Sequence, residues 1–173
     1  RIGKKQFPKA DIFQVLNVRF REGRSELHTW QAADVLRNYS GIAASTTAFS
    51  TGSWLAGFAL LNVYEGGEAV RFFRALVHGL DMLCAAAGQW EAGEELCAAV
   101  VVGATLVYLD ENGQLADYAD DQRASEQCAV LLQMIEKKQS IPALKPEVWQ
   151  QLKRWVFLLL RENDCLLPGE NRS

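Results

Sequence analysis

Proline is missing from almost the whole interior of this chain of 173 residues: after Pro8 the next is Pro142, followed by Pro146 and Pro168. Inside a helix proline removes a hydrogen bond and clashes with the preceding turn. A long proline-free stretch punctuated by glycine therefore favours helices over a turn-rich β fold. Histidine is equally scarce, with only His28 and His78. Neither has an E-x-x-H or H-x-x-x-H partner, which removes the helix-borne zinc and di-iron signatures. His78 has Arg74 before it and Asp81 after it, a local ion pair on a polar helix face. No G-x-G-x-x-G and no G-x-S-x-G occurs. Gly88 and Gly93 stand at phosphate-loop spacing, but Glu94 and Glu95 follow where lysine and a hydroxyl are needed, and carboxylates repel phosphate.

The cysteines Cys84, Cys97, Cys128 and Cys165 include no C-x-x-C pair. Three of them sit among apolar residues and read as buried free thiols, which suits a reducing, cytoplasmic setting. The sequons at Asn38 and Asn171 are then chance matches. No run is both long and apolar enough for a membrane span. Asn38–Tyr64 has the length but opens on Ser, Thr, Ala and Gly, and Leu96–Leu109 is too short.

What is present is the profile of one globular domain: 49% hydrophobic, 23% charged and a net charge of -3. That charge disfavours a protein binding nucleic acid over its whole surface. Residues 1–24 hold seven basic residues against Asp11 and Glu22, whereas Glu91–Glu126 holds nine acids and only Arg123. DENGQLADYADD lacks calcium-loop spacing, and its Asp117, Asp120 and Asp121 read as a solvated acidic helix start.

Asn38–Tyr64 contains no charged residue. At helical spacing Ala44, Ala48, Gly52 and Ala56 make a ridge of small side chains, against which another helix can pack closely. Gly67–Ala87 is amphipathic through Phe73, Leu76, Val77, Leu80, Leu83, Cys84 and Ala87. Glu91–Leu109 is apolar on nearly every face, the mark of a buried helix. Asp110–Gly113 makes a turn, Gln114–Lys138 another amphipathic helix, and Glu147–Asn163 the last helix, with Pro146 in its first turn. Asp11–Phe20 fits a helical stripe of Ile12, Phe13, Leu16 and Phe20. It also fits a strand, with Leu16, Val18 and Phe20 alternating with Asn17, Arg19 and Arg21. Helix is the preferred reading. Glu26–Tyr39 reads as a short helix capped by Ser25.

The expected architecture is one all-α domain over 1–173, a compact bundle of six or seven helices. Ala44–Tyr64 and Glu91–Leu109 pair at its centre, 1–10 is a basic extended arm and 164–173 a polar tail. A short N-terminal β-hairpin is the alternative for the first segment.

With no catalytic, cofactor or metal signature, the leading reading is a non-enzymatic protein-interaction module: an adaptor, a regulator or an assembly subunit. Trp149, Trp155, Phe157, Leu158 and Leu160 on the last helix exceed what one docking face can cover, which points to a homodimer. Two alternatives stand beside it. One is a DNA-associated regulator using a basic contact arm (Lys4, Lys5, Lys9, Arg19, Arg21 and Arg24) and a helix-turn-helix-like segment over 29–47. Against it, that segment's second helix lacks Arg and Lys. The other is a small-molecule pocket lined by Trp54, Phe58 and Tyr108.

Overall fold

The period-two alternation of Leu16, Val18 and Phe20 governs the start of the chain. The computed structural model describes residues 10–21, 23, 29–64, 67, 69–88, 93–115, 122–137 and 139–170. In it strand β1 is Gln14–Arg21 and strand β2 is Thr29–Asn38, paired antiparallel as a two-stranded sheet. Leu16 faces Val35, Val18 faces Ala33 and Phe20 faces Trp30, while Asn17 and Arg19 face Asp34 and Ala32. A helix would set Val18 and Phe20 about 200° apart, whereas a strand puts Leu16, Val18 and Phe20 on one side. β2 has 10 residues against 8 in β1, and register shifts at Val15/Leu16 and Arg19/Phe20 absorb the excess. The helices preferred over 11–20 and 26–39 are therefore corrected to strands where the residues are described. This hairpin belongs to a compact unit ending at Ser40, and a second unit begins at Gly41.

Beyond the hairpin come a 3₁₀ turn (Ser40–Ala44) and helices α1 (Thr46–Asn62), α2 (Val70–Gly88), α3 (Glu94–Glu111), α4 (Gln122–Glu136) and α5 (Pro146–Glu162). Among the described residues there are thus five α-helices rather than six or seven. Ser45 caps α1, its Oγ accepting from the Ala48 N–H. Pro146 starts α5, where a missing N–H costs nothing.

α3 is the centre. Every residue from Cys97 to Leu109 is buried, and α3 contacts α1, α2, α4 and α5. Two glycines set how closely its neighbours approach. A Cβ on Gly79 of α2 would stand 2.8 Å from Val100 Cγ1, and one on Gly103 of α3 2.9 Å from Met134 Cε. Burying such apolar side chains stabilises by roughly 1.5–3 kcal/mol each. With Glu94, Glu95, Asp110 and Glu111 at its ends, α3 is no membrane span. No helix among the described residues is long and apolar enough to cross one.

α1 meets α3 but is not a second centre. Its buried stripe is Ala48, Gly52, Leu55, Phe58 and Asn62, with Ala44 and Ala56 exposed. Steps of four advance about 40° each around a helix with 3.6 residues per turn, so a strict i+4 ridge winds off a core face that needs mixed steps of three and four. Ala44 also precedes the helix. A similar rotation occurs in α2, where Phe72 is buried and Phe73 is 55% exposed. The small residues Ala75 and Gly79 lie on the true packing face, and their low hydrophobicity hides that face from a periodicity count.

α3 and α5 end alike. Gly113 has φ +71°; its N–H donates to Asp110 O, and that of Gln114 to Leu109 O. Asp164, with φ +57°, takes the equivalent place: its N–H reaches Arg161 O, and that of Cys165 reaches Leu160 O. Both are Schellman ends. The chain after α5 is no free polar tail as far as residue 170. Leu167 is buried, Pro168 lies against Gly57, and Glu170 pairs with Arg161.

Candidate functional site

The expected interface on α5 is mostly core. Trp149 is 1% exposed and Leu160 is fully buried, because α5 packs along α3. Trp155 and Phe157 are half-buried. Phe157 stacks on Trp54 with ring centroids 5.1 Å apart, and Lys153 Nζ stands over the Phe157 ring, 5.6 Å from its centre. Only Leu158 of the five is exposed. Packing of α5 along α3 and the stack of Phe157 on Trp54 take up part of the apolar excess that one docking face could not.

The DNA-reading segment is likewise corrected. Thr29–Asn38 is a strand, so 29–47 holds no helix-turn-helix. Of the basic arm, Arg19 and Arg21 are exposed on β1, whereas Lys4, Lys5, Lys9 and Arg24 lie outside the described residues. So do Asp117, Asp120 and Asp121. Trp54, Phe58 and Tyr108 do meet, but they fill the space between them. Trp54 stacks on Phe58 at 5.6 Å, and Phe58, Phe72 and Tyr108 touch edge to face at 5.1–5.8 Å. These rings form part of the core.

Above this aromatic core is the surface that the sequence did not single out. Leu60 is 86% exposed and Tyr64 79%, both near the end of α1; Val70 and Phe73, in the first turn of α2, are 52% and 55% exposed. Between them lies a groove of about 630 Å³ lined by Ala59, Leu60, Val63, Val70, Phe73 and Leu76, among others, with no charged residue among the described lining. Monomers rarely expose contiguous apolar patches of more than a few hundred Å².

The corner carrying the groove is firmly held. The Glu111 carboxylate, at the end of α3, accepts from the Arg71 and Phe72 N–H groups at 2.8 Å each. It thereby satisfies two of the open donors at the start of α2 and meets the positive end of that helix. The Arg71 guanidinium reaches Asp110 and Glu136 at 2.7 Å each, joining α2 to α3 and α4. These carboxylates, Glu136 first, push the already high Arg71 pKa further up. On the α1 side, Asn62 donates to Phe58 O at 2.9 Å and to Leu166 O at 2.8 Å, and accepts from the Leu166 N–H. The Tyr108 hydroxyl donates to Asn62 O at 3.1 Å, and burial pushes that phenol up to about 12.

A second groove, about 510 Å³, lies between α4 and α5 and is lined by Glu126, Val130, Leu131, Leu144, Val148 and Leu152, among others. Comparison with known protein families, curated proteins and solved structures finds no match. Function therefore has to be argued from this geometry.

The chemistry on offer is sparse. Among the described residues no three His, Cys, Asp or Glu side chains stand together as a metal site. Burial raises the thiol pKa of Cys97, Cys128 and Cys165, which holds them as thiols rather than nucleophilic thiolates. Recognition by shape and apolar contact is what the α1–α2 corner can do.

Proposed function

We propose that this protein is a non-enzymatic helical interaction module whose docking surface is the apolar corner between α1 and α2. The observation that carries the reading is the pairing of a projecting Leu60, 86% exposed, with a groove beside it whose described lining is uncharged. An apolar knob next to an apolar cleft, on two helices fixed by Glu111, Arg71 and Asn62, is pre-organised for a partner. Transferring such side chains from water stabilises a complex by ~25 cal/mol per Å² before the costs of association. The four thiols are all free, which suits work in a reducing compartment such as the cytoplasm.

The test is affinity purification of three full-length forms: wild type, Leu60→Glu/Phe73→Glu, and Leu158→Glu as a control on α5. The proposal expects the same bound protein with wild type and the control, and its loss from the corner variant. Equal recovery from all three contradicts it.

A further inference from the structure

The α1–α2 corner also carries an assignment of its occupant, which rests on the interaction-module reading above. We infer that the occupant is a second copy of this chain, packed through the same corner about a two-fold axis.

Shape and charge point that way. A two-fold contact joins one surface to itself, so the surface must offer both a projection and a recess. Leu60 projects, at 86% exposure, and the groove walled by Val63, Val70 and Phe73 receives. Two-fold symmetry also brings like residues together near the axis, so a charged patch repels its own copy. The groove lining holds no charged side chain among the described residues. Of the guanidiniums on α2, that of Arg71 is engaged by Asp110 and Glu136. The described lining gives a charged partner nothing to read. The α4–α5 groove is different, since it includes the carboxylate of Glu126 in its wall.

Area agrees. At their fractional exposures Leu60, Val63, Tyr64, Val70 and Phe73 present on the order of 500 Å² of apolar surface per copy. A standard interface takes about 800 Å² per partner, and roughly 65% of a homodimer interface is apolar. The apolar part of such an interface is therefore about what the corner supplies.

The experiment is sedimentation velocity or light scattering on the full chain over a broad micromolar dilution series. It compares wild type, Leu60→Glu/Phe73→Glu, the milder Leu60→Ala, and Leu158→Glu. Wild type and Leu158→Glu should dimerise alike. In the double variant the dimer dissociation constant should rise by on the order of a hundredfold or more, as loss of central apolar anchors does. Leu60→Ala should weaken it less, with an unchanged circular dichroism spectrum. The milder variant decides the matter if the double variant fails to fold. A wild type that stays monomeric at every concentration overturns the second-copy assignment, and so does a dimer indifferent to Leu60→Ala. Neither result touches the interaction-module reading, which fails only if the corner variants keep every bound partner.

Discussion

Asn62 and Leu166, 104 residues apart in sequence, hold each other through two reciprocal hydrogen bonds of 2.8 Å. The Asn62 side chain acts toward Leu166 as a neighbouring strand would, satisfying both its N–H and its C=O. The contact fastens the segment after α5 to the end of α1, just below the exposed corner.

Asn62→Ala leaves the Leu166 N–H, the Leu166 C=O and part of the Phe58 C=O without their partner. Unpaired buried polar groups cost about 1–3 kcal/mol each, and water entering the gap recovers some of that. The expected net loss is ~2–3 kcal/mol, read as a lower urea midpoint at an unchanged slope. A midpoint within error of wild type would show that this contact does not hold the C-terminal segment.

Gly79 lets α2 lie against α3. A Cβ there falls 2.8 Å from Val100 Cγ1, and a β-branched side chain has little rotamer freedom with which to yield. Gly79→Ala gains about 1 kcal/mol of helix propensity, against an overpacking cost of ~1–3 kcal/mol. Net destabilisation is expected, and Val100→Ala in the same molecule should cost less than it does alone. Additive effects of the two changes in a double-mutant cycle would count against this close approach.

Asp164 holds a left-handed conformation, φ +57°, at the place where α3 has Gly113. Glycine adopts that region without the steric cost borne by other residues. Asp164→Gly is therefore expected to stabilise by about 0.5–1 kcal/mol, visible as a higher melting temperature. Gly113→Ala should do the opposite.

Tyr108 gives the protein an alkaline limit. Its folded pKa, raised by burial from 10.0 to about 12, lies above the unfolded value. The folded chain therefore holds the proton more tightly, and that stabilisation is present below pH 10 and lost as pH rises towards 12. Cys97, Cys128 and Cys165 are shifted the same way by burial and add to the loss. Melting temperature should fall steeply across this range in wild type and less steeply in Tyr108→Phe. Parallel curves would remove Tyr108 as a contributor.

How much of this was legible in the sequence depended on the size of the side chains. α3 was readable because it is apolar on all faces, so no choice of face was needed. Its turn at Gly113 and the proline start of α5 were readable because each depends on one residue's backbone chemistry. The hairpin was ambiguous, since Leu16 and Phe20 fit both periods, and only pairing with Trp30, Ala33 and Val35 settles it. On α1 the small-residue ridge is buried at Ala48 and Gly52 but not at Ala44 and Ala56, and the start of α2 was misplaced because Ala75 and Gly79 do the packing and carry no hydrophobic signal. That error hid the site. Counting Phe73 as core and Phe72 as nothing inverted the start of α2, and the apolar excess was assigned to α5, where Trp54 and α3 already cover part of it.

Carbene footprinting of the full chain across a dilution series tests the central claim most directly, because it labels exposed apolar side chains where they stand. If a second copy docks on the α1–α2 corner, Leu60, Val70 and Phe73 will be protected in the concentrated sample and labelled on dilution, and another bound partner will protect them at any concentration, while Leu158 is labelled throughout. Labelling of Leu60, Val70 and Phe73 as complete as that of Leu158 at every concentration, and with every bound partner present, would contradict the account.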